Sequence, residues 1–173
     1  MTIGKLTTVL CAALIAAPAF AGEESVLPAS GDEIEKYRNA GDWTIYKNMT
    51  QQSCFTVKAG ETTAVQLGLT KDKQFGYIGV FMKGADVAEE NQAVAVAVND
   101  NIYVGEAGSA THLTDDYKGG YVLANDKQLR LDLEKAAELI AFPESANVVT
   151  VDLKGSGNAI YEARKCNDEM QGG

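Results

Sequence analysis

The chain has one histidine, three cysteines, three prolines and one tryptophan in 173 residues. With only His112 to offer a nitrogen ligand, and no Cys-x-x-Cys pair, a zinc-type centre is not expected. No Gly-x-Ser-x-Gly segment occurs, which removes the usual nucleophile elbow. Positive charge is scarce: 15 Lys and Arg stand against 24 Asp and Glu, for a formal net charge of −9. An acidic chain repels phosphate backbones and anionic membrane surfaces, so no nucleic-acid partner is expected. No apolar run reaches the about 20 residues needed to cross a bilayer as a helix, so no membrane span is expected in the mature chain. No internal repeat or linker interrupts the sequence.

What is present begins at the N-terminus. Lys5 supplies a single positive charge, Leu6 to Ala17 form an apolar core, and Ala19-Phe20-Ala21 is a small-x-small cleavage site. This is the grammar of a secretory leader over residues 1–21, cleaved after Ala21. The leader looks bacterial, so a periplasmic or secreted protein is expected. Cys11 sits inside the apolar core rather than after it, which argues against lipidation. Removing the leader leaves 152 residues, Gly22 to Gly173, with a net charge of −10 because Lys5 departs. That length suits one domain with a real core. The acidity suits solubility or a basic partner.

Two cysteines remain, Cys54 and Cys166. In an oxidising compartment an isolated pair reads as a disulfide. Two free thiols or a metal pair are the alternatives.

The pattern from Trp43 onward is that of short strands. Trp43–Lys47 and Ser53–Val57 are β-rich, and Val65, Leu67 and Leu69 alternate with Gln66, Gly68 and Thr70. Tyr77–Met82 is apolar on both faces and is expected at the centre of the fold. Ala93–Val98 places every Val on one face and every Ala on the other. Asn99-Asp100-Asn101 then predicts a tight hairpin turn into Ile102–Val104. Residues 105–119 read as a loop carrying His112, followed by a strand at Gly120–Leu123.

Three short helices are expected. Ser30 and Glu33 fit a capping box before a helix over 32–39, ended by Gly41. Leu133, Ala136, Ala137 and Ile140 share a helical face, predicting a helix over 133–141 stopped by Pro143. Val149, Val151 and Leu153 return to a period of two. Ser156 then offers an N-cap for a helix over 157–166, with a frayed tail after Asn167. The expected class is mainly β (α+β): one antiparallel β-sandwich or partly open barrel over 22–173, with two or three short helices.

The order of these elements resembles the invasion-associated locus B family of bacterial secreted proteins. That family opens on a "W-x-V … C" pattern, continues in β-strands, and carries "S-L-x-G-F-x-x-A" before a late cysteine. Here Trp43 and Cys54 open the series, and Asp152-Leu153-Lys154-Gly155-Ser156-Gly157-Asn158-Ala159 precedes Cys166. Leu153, Gly155 and Ala159 fit, whereas Ser156 replaces the aromatic and Asp152 replaces the Ser. The resemblance spans most of the mature chain. It implies a periplasmic or envelope protein of β-sandwich type, linked in some pathogens to host-cell entry, with no catalytic residue to carry over.

Few residues suggest chemistry. Asp115 is placed to orient His112 as a base, the arrangement of a hydrolase; an ordinary loop histidine is the plainer reading. Asp100 and Asp115-Asp116 offer oxygens to calcium, without EF-hand spacing. Glu89-Glu90 and Glu134/Glu138 are paired carboxylates that also fit solvated faces. Gly76 and Gly79 lie in a strand, where glycine allows close approach rather than phosphate binding. Phe75, Tyr77 and Phe81 suit either an aromatic surface or a core. Asn48-Met49-Thr50 matches a glycosylation sequon. The expected function is a non-enzymatic periplasmic or secreted binding or envelope-associated protein, without catalytic residues, cofactor or metal. Its partner would be a protein or envelope component, with an acidic rim favouring a basic one. An inhibitor of a basic enzyme such as lysozyme, using Ser156, Gly157 and Tyr161, is one alternative. A hydrolase built on His112 is the other.

Overall fold

The computed structural model describes residues 26–87 and 92–172. The expected leader over residues 1–21 with its expected cleavage site, and the pair Glu89-Glu90, lie outside these residues. The elements in chain order are β1 (Ile34–Ala40), β2 (Trp43–Asn48), β3 (Ser53–Ala59), β4 (Thr63–Leu69), β5 (Gly76–Lys83), β6 (Ala93–Val98), β7 (Asn101–Ala107), β8 (Tyr117–Ala124), α1 (Lys127–Lys135), β9 (Glu138–Ala141), β10 (Val149–Asp152) and α2 (Ser156–Gln171).

The ten described strands join one antiparallel sheet in the order β1-β2-β3-β4-β5-β8-β7-β6-β9-β10. The expected mainly-β α+β class is what is observed. Two-residue turns make the tightest hairpins, because a left-handed residue matches the twist of the strands. Asn99 (φ 54°) opens the turn between Val98 and Asn101, and Gly41 (φ 65°) the turn between Ala40 and Trp43.

The sheet curls so that its two ends approach. Lys58 Nζ on β3 reaches Asp152 Oδ2 on β10 at 2.8 Å, and the Trp43 indole donates to the Lys154 carbonyl at 2.9 Å. The concave face holds the main core. Ile45, Val65, Ile78, Val80, Val94, Val96 and Leu139 meet there with Leu129 of α1 and Ala159 and Ala163 of α2. A second core lies on the opposite face of β3, β4, β5 and β8, built from Phe55, Val57, Tyr77, Phe81 and Tyr121. Burial on both faces explains why Tyr77–Met82 lacks polar alternation: β5 occupies the middle of the sheet.

Glycines permit this double packing. A Cβ on Gly79 would lie 2.7 Å from the Tyr121 ring, so the bare backbone is the surface on which that ring rests. A loop over residues 108–116 closes the second core. The Tyr121 hydroxyl donates to Gln66 Oε1 at 2.9 Å, and Gln66 Nε2 donates to the Thr111 carbonyl at 2.8 Å. Burial raises the Tyr121 pKa.

Three local expectations are corrected. Residues 34–40 form β1, not part of a helix over 32–39. Ile34 and Tyr37, three apart, pack on opposite faces of the sheet. Asp32, not Ser30, provides the local side-chain cap, accepting from the Ala29 amide at 3.0 Å and from Asn48 Nδ2 at 2.6 Å. The hairpin with β2 supplies a ladder, interrupted only by a register shift between Lys36 and Arg38, that outweighs a short isolated helix, which is marginal in water.

The helix expected over 133–141 is also displaced. The α1 helix starts earlier, with Asp126 as N-cap accepting from the Gln128 amide, and ends at Lys135. Leu129 and Leu133, which read as a strand alternation with Leu131, are an i, i+4 pair facing the core. Residues 138–141 are β9, with Leu139 and Ala141 buried against Glu138 and Ile140 outside. Pairing with β6 on one side and β10 on the other decides the strand. Glu134 and Glu138 therefore share no helical face.

The third helix is longer than 157–166. Gly155, not Ser156, is the N-cap of α2, at φ 84° and with no side-chain cap bond. The tail does not fray after Asn167, because Asn167 is itself buried and hydrogen-bonded.

Candidate functional site

Cys54 and Cys166 are disulfide-bonded, with Cα atoms 6.0 Å apart across 112 residues of sequence. The bridge locks α2 onto β3, and Cys54 lines a cavity beside it. Closure of a loop this long stabilises the fold by about 4–5 kcal/mol in the chain-entropy picture. A persistent bridge of this kind fits an oxidising compartment.

The cavity has a volume of about 780 Å³ and opens at one end of the curled sheet. Its walls come from the β4–β5 turn, the β8–α1 junction, α1 and α2. Ile160, Ala163, Arg164 and Asn167 recur at helical spacing and present one face of α2 to it. Lys127, Arg130 and Glu134 do the same from α1. Leu67, Leu133 and Ala163, all deeply buried, form its apolar interior.

Each wall is held by its own polar contacts. The opposite flank of α1 is tied to the β6–β7 hairpin through Asp132. Tyr103 Oη donates to Asp132 at 2.6 Å, Asn101 Nδ2 at 2.9 Å and Gln128 Nε2 at 2.9 Å. These donors, Tyr103 first, hold the Asp132 carboxyl below its ordinary range. Burial, and then the bond to Asp132, push Tyr103 up to about 12. In the β4–β5 turn the buried Thr70 hydroxyl donates to Asp72 at 2.6 Å, and the Gln74 amide donates to the same carboxylate oxygen at 3.1 Å. The turn thereby sets Lys73 and Phe75 at the rim.

The electrostatics of this cavity oppose those of the whole chain. Lys73, Lys127, Arg130 and Arg164 line it against Asp126 and Glu134, a local balance of +2 in a protein of net charge −9. Arg164 pairs with Glu134 at 3.0 Å, which ties α2 to α1. Asp126 is engaged as the α1 cap. Lys73, Lys127 and Arg130 carry no side-chain ion pair among the described residues. Such a lining attracts an anion, and low-dielectric walls strengthen that attraction.

Of the residues singled out in sequence, the cavity takes in Cys54, Phe75, Gly76, Tyr77 and Glu134. Phe75 is exposed at its rim, whereas Tyr77 and Phe81 belong to the second core. His112 lies elsewhere, exposed and left-handed at φ 58°, with its ring 4.2 Å from that of Tyr46. Partial burial lowers its pKa. Asp116 accepts from the Thr114 hydroxyl and pairs with Lys83 at 3.5 Å. Asp115 lines a smaller cavity of about 280 Å³ with Ser109 and Tyr117. Asp100 sits in the β6–β7 turn. No three His, Cys, Asp or Glu side chains gather to hold a metal among the described residues. Ser156 is buried and Tyr161 exposed, both on α2. The outer face of β6, β7 and β9 carries Ile102 and Val104, 61% and 63% exposed, beside Ile140. No described helix is long and apolar enough to cross a membrane.

Sequence reasoning missed Lys73, Lys127, Arg130 and Arg164 as a group. The one legible signal was the i, i+3 spacing of Lys127 and Arg130, which gains meaning only once a helix is placed over 127–135.

No family model, curated protein or solved structure matches this chain.

Proposed function

We propose that this is a non-catalytic, extracytoplasmic binding protein whose ligand seat is the cavity between the β4–β5 turn, α1 and α2. The observation that carries this is the concentration of four cations, three without ion pairs among the described residues, around a cavity of about 780 Å³ in an acidic chain. That volume lies in the range of small-molecule sites. The ligand is therefore anionic, while the acidic exterior remains available to a basic protein partner. The disulfide and the leader-like residues 1–21 support a periplasmic or secreted location, with the leader removed after Ala21. The resemblance to the invasion-associated locus B family agrees with an envelope setting.

The test is calorimetric titration of the disulfide-bonded protein with small anions, inorganic phosphate and butanoate among them, in low and high salt. Binding that weakens with salt and is lost in a Lys127→Gln/Arg130→Gln variant supports the assignment. No anion binding at millimolar ligand refutes it.

A further inference from the structure

We infer that the ligand of this cavity is a single-chain anionic amphiphile, with its head at Lys127 and Arg130 and its alkyl tail along Leu67, Leu133 and Ile160. The inference deepens the anion-seat reading and depends on it. Two chemistries meet in one cavity. The rim offers three cations, Lys73, Lys127 and Arg130, without an ion pair among the described residues. The interior offers Leu67 and Leu133, 3% and 6% exposed, beside the half-buried Ile160.

Neither half is satisfied by a simpler ligand. A bare inorganic anion would engage the rim and leave the apolar side of the lining without a partner, forgoing the gain that burial of an apolar group brings. A neutral apolar molecule would fill the interior and leave the cations unpaired over it. A polyanion is disfavoured because Asp126 and Glu134 offset two of the four cations. A molecule with one charged head and one flexible tail answers both halves. A carboxylate or a phosphate monoester serves equally as the head, since lysine and arginine donate to either.

The experiment is calorimetric titration of the disulfide-bonded protein below the micellar range of each probe. The probes are butanoate, octanoate, dodecanoate, dodecyl phosphate, inorganic phosphate and dodecyltrimethylammonium. Dodecanoate is expected to bind one to one. Affinity should rise about fourfold per buried methylene along the carboxylate series. Dodecyltrimethylammonium should bind far more weakly. Lys127→Gln and Arg130→Gln should each weaken dodecanoate about tenfold. Both residues are exposed on α1, so thermal unfolding of the variants should match the parent.

The head preference follows from dodecanoate against dodecyl phosphate. If butanoate and inorganic phosphate bind in a Lys127- and Arg130-dependent way but affinity does not rise with chain length, the amphiphile inference falls and the anion seat stands. If the cationic surfactant binds as tightly as dodecanoate, the inference also falls, because charge then plays no part. If no anion binds, both readings fall together.

Discussion

The Cys54 amide on β3 donates to the side-chain oxygen of Asn167, the residue after its disulfide partner, at 2.8 Å. The same turn of α2 is thus fastened to the same strand residue twice, once by sulfur and once by a buried hydrogen bond. Asn167 completes its own geometry by donating to the Ala163 carbonyl at 3.0 Å. The α2 wall of the cavity takes its position from this joint.

Replacing Asn167 by Ala leaves the buried Cys54 amide without its acceptor. An unsatisfied buried donor costs about 1–3 kcal/mol. Urea unfolding of Asn167→Ala should show a loss of that size with an unchanged slope. A loss below about 0.5 kcal/mol would mean that the amide finds another partner.

The covalent half of the joint is tested separately. A Cys54→Ala/Cys166→Ala variant, or the parent in reductant, should lose about 4 kcal/mol of stability. Thiol titration of the native protein should find no reactive group at either position. Two titratable thiols before reduction would contradict the bridge.

Three glycines rank by what a methyl group would meet. On Gly105 a Cβ would fall 1.9 Å from the Tyr121 carbonyl oxygen, where backbone must move. On Gly79 it would meet the Tyr121 ring at 2.7 Å, and on Gly31 nothing within 4 Å. Gly105→Ala should therefore cost about 3 kcal/mol or prevent folding, Gly79→Ala about 1–3 kcal/mol, and Gly31→Ala close to nothing. Thermal midpoints of the three variants check the order, and a Gly31 variant as damaged as the others would refute it.

Asp132 makes stability depend on pH. Its carboxyl is held below 3.8 by Tyr103 foremost, then by Asn101 and Gln128. A depressed carboxyl contributes stability that is present above its ordinary value and lost as pH falls through its native one. Asp132→Asn should therefore be less stable than the parent at pH 7 and at pH 5, with the deficit shrinking below pH 3.8. Equal deficits at pH 7 and pH 3, read from urea midpoints, would show that its charge is not what matters.

His112 offers a contrast. Exposed and resting on Tyr46, it should tolerate His112→Ala with a loss of no more than about 1 kcal/mol. Burial lowers its pKa below 6.5, so this small contribution is present above that value and fades as pH falls through the native one. Unchanged anion binding in His112→Ala is also expected, since His112 does not line the cavity. A variant that loses binding would move the site to the 108–116 loop.

The elements that were legible in the sequence are those whose cause is local. The Asn99-Asp100 turn follows from residues that tolerate positive φ, and the Val/Ala alternation of β6 from a sheet with one buried face. The failures share the opposite property. Leu129, Leu131 and Leu133 satisfy a period of two, while Leu129 and Leu133 equally satisfy i, i+4. Nothing within the segment separates the readings. The Asp126 cap, the anchor of Asp132 to Tyr103, and the pairing of residues 138–141 between β6 and β10 separate them. Residues 34–40 became a strand for the same reason, because β2 was available to pair with them.

Composition and short-period patterning pointed to a mainly β, acidic chain with one cysteine pair after residue 21, because burial and charge act through totals and short periods. The cavity could not be read that way. Lys73, Lys127, Arg130 and Arg164 belong to a turn and two helices. Each is an unremarkable surface cation in its own segment. They become one site because the sheet curls, α1 is anchored through Asp132, and the disulfide sets α2 beside it. Electrostatic attraction depends on distance in space, and only the tertiary structure converts separation along the chain into that distance.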